Sequence, residues 1–167
     1  MRCAAEEILR EPPLSIVVDV AAQELRLPGG QRYAVSTAKN GLGEQNGSFC
    51  TPRGRHIVRA KIGAGQPLGA VFVRRRPTGE VWTPDLHARY PGRDWMLTRL
   101  LWLSGCEAGR NRLGNVDTMR RMIYIHGAPD SAEMGKPGSH GCIRMRNADV
   151  AELFELVPPY AEVDIRG

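Results

Sequence analysis

Trp95–Gly105 reads WMLTRLLWLSG, an almost unbroken apolar run, and the fold class turns on how it is read. Its length alone would suit a helix, but a central strand buried on both faces is the better reading. Working outward, HIVRAKIG (56–63) and AVFVRRR (70–76) are two more β-prone runs upstream, and RRMIYIHG (120–127) is another downstream. Nearer the start, LSIVVDV (14–20), AQELRLP (22–28) and QRYAVSTA (31–38) form a third group, with Pro28-Gly29-Gly30 as a hairpin turn between the last two. They read as an antiparallel meander. EVDIRG (162–167) closes the chain as a last strand. Helices are few: a short one over Cys3–Arg10, stopped by Pro12-Pro13, and an amphipathic one after Asn147 as N-cap. In the latter, Val150, Leu153, Phe154 and Val157 recur at helical spacing before Pro158-Pro159. NGLGEQNGSFCTPRG (40–54) and WTPDLHARYPGRD (82–94) read as irregular loops.

The 167 residues hold 19 glycines and 12 prolines, which favours short strands and tight turns over a helical bundle. A single β-rich domain over 1–167 is expected. No run approaches the roughly 20 apolar residues of a membrane span, so no membrane partner is expected. MRCAAEEILREPP sets acidic residues and Pro-Pro where a secretory signal needs an unbroken apolar stretch. With four cysteines and no CxxC pair, this predicts a cytoplasmic protein if Met1 is the native start, and a periplasmic one if a leader has been removed. The net charge of +5 is modest, and Arg74-Arg75-Arg76 reads as a solvated basic turn rather than a nucleic-acid contact.

The chemistry gathers in the last third of the chain. In SHGC (139–142), Cys142 follows a glycine in a loop just upstream of a helix. A thiol needs a nearby base to become a nucleophile at neutral pH. His126, at the end of a strand with Tyr124 and Met122 projecting from the same side, is favoured over His140 as that base. The 12 residues from Gly127 to Gly138 are enough to bring the chain back beside its own strand. No acid stands out as a third member, Asp130 and Glu133 being in a loop, so a backbone carbonyl is left to orient the ring. Main-chain N–H groups of Gly141 and Cys142 would meet the charge on a tetrahedral intermediate. Cys3, Cys50 and Cys106 read as inert filler, His56 and His87 as solvated loop histidines, and Trp82, Trp95 and Trp102 as core or lid packing. A zinc site from Cys142, His140 and His126 would lack a local fourth ligand, and neither metal nor cofactor is expected.

YIHG (124–127), the polar loop, SHGCIRMRN (139–147) and the upstream GSFCTPRGRHIV (47–58) together resemble the YkuD-type L,D-transpeptidase catalytic domain over nearly the whole chain. The resemblance implies a mixed β-sandwich, Cys142 as nucleophile, His126 as base and the Gly127 carbonyl as the group that holds the imidazole. His140 and Gly141 would shape the oxyanion pocket, and Tyr124, Ser139 and Arg144 would contact substrate. The loop before Ser139 is shorter than in many secreted members, and Arg144 stands where several carry asparagine. The implied ligand is a muropeptide or peptidoglycan stem peptide, and the resemblance also implies a covalent carbapenem adduct. WLSGCEAGRN (102–111) and IHGAPD (125–130) resemble a leaderless subgroup of L,D-carboxypeptidases that remove terminal D-alanine from tetrapeptides in cell-wall recycling. A periplasmic transpeptidase forming 3-3 cross-links and an inactive muropeptide-binding module are the other two readings.

Overall fold

The computed structural model describes residues 14–167, so the helix expected over Cys3–Arg10 lies outside the described residues. Alternation drives the first three strands. In β1 (Ser15–Asp19) Ile16 and Val18 turn inward, and β2 (Glu24–Arg26) and β3 (Arg32–Ser36) follow in an antiparallel meander. The turn at Pro28–Gly30 closes through a hydrogen bond from Gly30 N–H to Leu27 O, with Gly30 at a φ of 92° that a side chain would resist. After the loop through Thr51 come β4 (Gly54–Ile62), β5 (Ala70–Val73), β6 (Arg76–Val81) and β7 (Met96–Gly105). The chain ends with β8 (Tyr124–Gly127), β9 (Ile143–Met145) and β10 (Glu162–Arg166).

Among the described residues the ten strands form one sheet in the order β4-β10-β1-β2-β3-β9-β8-β7-β5-β6. A further pairing of β4 with β7 closes it on itself like a barrel and leaves β5 and β6 as a hairpin continuing from β7. The fold is therefore mainly β, as expected. Two pairs run parallel, β1 with β10 and β8 with β9. The WMLTRLLWLSG run is a central strand with both faces covered: Leu101 and Leu103 enter the main core, Leu100 a smaller cluster with Tyr124 and Cys142. The main core also takes Ile16, Val18, Val58, Ile125, Ile143 and Met145, each fully buried, at about 1.5–3 kcal/mol per large side chain.

Helix α2 (Asn147–Leu156) packs Val150, Leu153 and Phe154 on this core. Asn147 is not its N-cap. That position is Arg146, and the buried Asn147 amide instead donates to Ala128 O at 2.9 Å and accepts from Thr98 Oγ1 at 2.6 Å, tying α2 to β7 and to the end of β8. The stretch 82–94, read as irregular, contains α1 (Pro84–Arg89). Thr83 caps it by accepting the Leu86 N–H at 3.1 Å, with proline at the first position and Asp85 in the first turn. His87 lies on α1, its Nδ1 accepting from Trp82 Nε1 at 3.2 Å. His56 is no loop histidine either. It is fully buried on β4 between Gly54 O and Thr118 Oγ1. Of the tryptophans, Trp95 is buried and Trp82 and Trp102 half-buried, as packing residues should be.

Candidate active site

The SHGC turn and the strand carrying His126 are neighbours because β8 and β9 pair in parallel, Ile125 opposite Ile143 and His126 opposite Arg144. Since strand residues alternate sides, Ile125 and Ile143 go to the core. Tyr124, His126, Cys142 and Arg144 share the other face, where all four line a cavity of about 680 Å³. Met122 does not continue the row. It sits in a turn at a φ of 56°, half exposed, and the strand begins only at Tyr124.

Cys142 is 9% exposed and His126 1%, so both residues are set into the cavity wall. The Tyr124 N–H donates to Cys142 Sγ at 3.3 Å, and the thiol donates to Met122 O at 3.4 Å. His126 Nδ1 bonds to Gly127 O at 2.6 Å. A carbonyl can only accept, so the proton sits on Nδ1 and Nε2 is left with its lone pair. Burial pushes the Cys142 thiol up to about 12, against smaller lowering effects of the Tyr124 N–H and Arg121. Burial also holds the His126 imidazole below its usual range, offset in part by the Gly127 carbonyl.

The turn that carries Cys142 is braced from several sides. Ser139 Oγ accepts from Gly141 N–H and donates to Cys142 O. Ser139 lines the cavity, yet its hydroxyl is spent inside the turn. Gly141 has a φ of 130°, and an added Cβ would lie 3.1 Å from both Cys50 O and Ile123 Cδ1. Its N–H is committed to Ser139, so of the two main-chain donors expected at the oxyanion only that of Cys142 remains. Thr51, from the TPRG segment, donates its hydroxyl to Gly141 O and accepts from Ala38 N–H, both at 2.9 Å. His140 is exposed at the rim, its ring edge-on to Phe49 at 6.1 Å.

Among the described residues, five arginines line the cavity, Arg74, Arg75, Arg93, Arg121 and Arg144, against one carboxylate, Asp94. Arg144 is half-buried, gives Nη2 to Ser36 Oγ at 2.9 Å and has a buried Nε without a partner among the described residues. Arg121 donates to Gly43 O at 3.1 Å and Cys50 O at 2.6 Å, pinning the 43–50 loop beside the sulfur. The Arg74–Arg75 pair is a turn, as expected, but not a merely solvated one: Arg75 reaches Tyr124 Oη at 3.0 Å. Asp130 approaches Asn147 Nδ2 at 3.2 Å, and among the described residues the partner of His126 Nδ1 is the Gly127 carbonyl rather than an acid. Cys106 is exposed rather than buried filler, Cys50 is half-buried, and Cys3 lies outside the described residues. Among the described residues no group of three His, Cys, Asp or Glu side chains is placed to hold a metal ion. Sequence reasoning missed Arg75, Arg93, Arg121, Asp94 and Thr51, whose places depend on contacts between distant segments.

The L,D-transpeptidase catalytic domain (YkuD) family model matches residues 13–165. The chain belongs to the L,D-transpeptidase catalytic domain family. Among its relatives, the probable L,D-transpeptidase YbiS of Escherichia coli is 31% identical over 118 residues, 64% of this chain and 37% of YbiS. The probable L,D-transpeptidase YcfS of the same organism is 29% identical over 164 residues, 92% of this chain and 44% of YcfS. The chain thus spans less than half the length of either relative. Among solved structures, an L,D-transpeptidase from Xylanimonas cellulosilytica superposes with a TM-score of 0.58 at 17% identity, over 95% of this chain and 62% of that one. L,D-transpeptidase 3 of Mycobacterium tuberculosis, in complex with a faropenem-derived adduct, gives 0.56 at 15% identity, over 93% and 61%. These two likenesses establish the L,D-transpeptidase fold.

Proposed function

We propose that this L,D-transpeptidase-family chain is a cysteine-dependent peptidase of peptidoglycan stem peptides, working as an L,D-carboxypeptidase that removes the terminal D-alanine of muropeptide tetrapeptides during cell-wall recycling. The observation that carries the reading is the placement of Cys142 and His126 on one face of the β8–β9 pair, in the wall of an arginine-rich cavity. His126 Nε2 takes the thiol proton as sulfur attacks the carbonyl of the third residue. The tetrahedral intermediate collapses to a thioester, and the imidazolium returns its proton to the departing D-alanine amine. Water, deprotonated by the same imidazole, then attacks the thioester, releasing a tripeptide carboxylate and the thiol. The Cys142 N–H faces the developing oxyanion. Arg144, with its unpartnered Nε, is the group assigned to a substrate carboxylate. The same thiol is expected to accept a carbapenem as an acyl donor.

Mass spectrometry of products from the tetrapeptide and its disaccharide form, with and without an added amine, tests this. Loss of one alanine is expected. A dimeric product would shift the assignment to 3-3 cross-linking, and no turnover with retained binding would make the chain a recognition module. Cys142→Ala should lower turnover by about 10³-fold or more, whereas Cys50→Ala and Cys106→Ala should keep it. Full activity in Cys142→Ala would end the proposal.

A further inference from the structure

The hairpin joining β5 and β6 turns through Arg74 and Arg75, at φ values of 48° and 66°. Two-residue hairpins of this hand prefer asparagine and glycine, and bulky residues held there are costly enough to suggest that the side chains are needed. The surroundings of Arg75 say for what. Its guanidinium carbon lies 4.5 Å over the Trp102 ring, and Nη1 donates to Tyr124 Oη at 3.0 Å. Trp102 is itself fixed, edge-on to Tyr124 at 5.8 Å and donating Nε1 to Met119 O at 3.1 Å. The fork is thus oriented by an aromatic face and a hydroxyl. Of the five cavity arginines, Arg93 alone among the described residues has an ion-pair partner within 4.0 Å, Glu80 at 3.0 Å. Arg75 keeps unused N–H donors on a pre-set plane, the geometry suited to a carboxylate. Tyr124, which positions it, also gives its main-chain N–H to Cys142 Sγ, so the guanidinium and the sulfur are held by the same residue.

We infer that Arg75 is a specificity-determining residue that recognises a free carboxylate near the reacting carbonyl, separately from Arg144, so that the cavity selects acids over the corresponding carboxamides. On the peptidase reading, on which the substrate class rests, this carboxylate is that of the departing D-amino acid or the second carboxylate of a diamino-acid residue. The cavity then takes a ligand with at least two negative charges.

Alkylation of Cys142 gives a test that needs no turnover. Thiolate displaces iodide from either iodoacetate or iodoacetamide, and peptide-mapped mass spectrometry yields the ratio of the two rates at Cys142. Arg75→Gln should lower the iodoacetate-to-iodoacetamide ratio by about 10-fold, the worth of one charge-assisted hydrogen bond. Arg75→Lys, which keeps charge but loses the fork, should fall between it and the parent. Arg76→Gln is the control, an exposed neighbour that carries the same charge change and lies outside the cavity lining; it should change the ratio less than 2-fold, as expected for a screened surface charge. An unchanged ratio in Arg75→Gln, or equal falls in Arg75→Gln and Arg76→Gln, would overturn the inference. In a second arm the parent should cleave a tetrapeptide acid with a KM about 10-fold below that of its terminal carboxamide, a gap that Arg75→Gln closes. If neither peptide is cleaved but the alkylation ratio behaves as stated, the peptidase reading fails and the carboxylate site stands.

Discussion

Acid should destabilise this protein through His56, a residue outside the cavity, and the effect can be sized. The ring is fully buried on β4, bonded at Nδ1 to Gly54 O (2.9 Å) and at Nε2 to Thr118 Oγ1 (3.0 Å). The carbonyl fixes the proton on Nδ1, so Nε2 accepts from the threonine hydroxyl, and protonating Nε2 would break that bond and leave a buried cation. Burial accordingly lowers the His56 pKa from 6.5 to about 4, against the raising effect of the Gly54 carbonyl. The unfolded chain binds this proton below about 6.5 and the folded chain only below about 4, so stability falls as pH falls through that window. At about 1.4 kcal/mol per pH unit the full loss approaches about 3 kcal/mol, of which about 2 kcal/mol appears between pH 7 and pH 5. The assay is urea unfolding at those two pH values for the parent and for His56→Gln, which can still donate to Gly54 O but does not titrate. The variant should be about 1–3 kcal/mol weaker at pH 7 yet lose about 2 kcal/mol less on acidification. His126 titrates in both proteins and cancels. Equal losses in the two would refute the account.

His126→Ala should slow alkylation of Cys142 near neutral pH by about 10²-fold or more, and the parent's acid limb should lie below pH 6.5 because burial lowers the imidazole; an unchanged profile in the variant would move the role of base to His140. Arg121→Gln removes a cation that favours the Cys142 thiolate, so the same alkylation at pH 7 should slow about 3- to 10-fold, and a faster reaction would contradict the assignment. Gly127→Ala would press a methyl against Asn147 Oδ1 and within 2.6 Å of Leu97 O. It should cost about 1–3 kcal/mol in urea unfolding, and an unchanged midpoint would show that β7 and β8 yield there.

The parts of the fold legible in the sequence are those written in local pattern. Ile16 and Val18, Leu25, and Val163 and Ile165 alternate with exposed or half-buried neighbours, and each run became a strand. The helix at Pro84–Arg89 was also legible, through Thr83, Pro84 and Asp85, but in so short a segment turn-forming residues outweighed the cap signal. Asn147 misled for a different reason. An amide before an apolar run looks like a cap, and nothing local says that it will be drawn inward to satisfy Ala128 O. The placing of His56 was hidden likewise, since its Nε2 partner is Thr118, 62 residues away. Within the site, Cys142 and His126 stood out because their segments lie close in sequence. Arg75 and Arg121 did not, because their partners Tyr124 and Cys50 are 49 and 71 residues distant.

These long-range contacts bear on the chemistry as much as on the fold. Burial acts on both groups toward their neutral forms, pushing the Cys142 thiol up and holding the His126 imidazole down, so the cavity wall disfavours a thiolate–imidazolium pair at rest. On the proposed mechanism, proton transfer to His126 then accompanies attack by the sulfur rather than preceding it. A bound anion would ordinarily make this harder by repelling the thiolate. Under the proposed carboxylate recognition, Arg75 and Arg144 offset that cost by pairing with the incoming charge. Arg121, held by carbonyls rather than by a carboxylate, keeps its charge free to favour the thiolate when it forms. On these proposals the surplus of positive charge in the cavity wall serves binding and ionisation together, which a net charge of +5 spread over the whole chain does not convey.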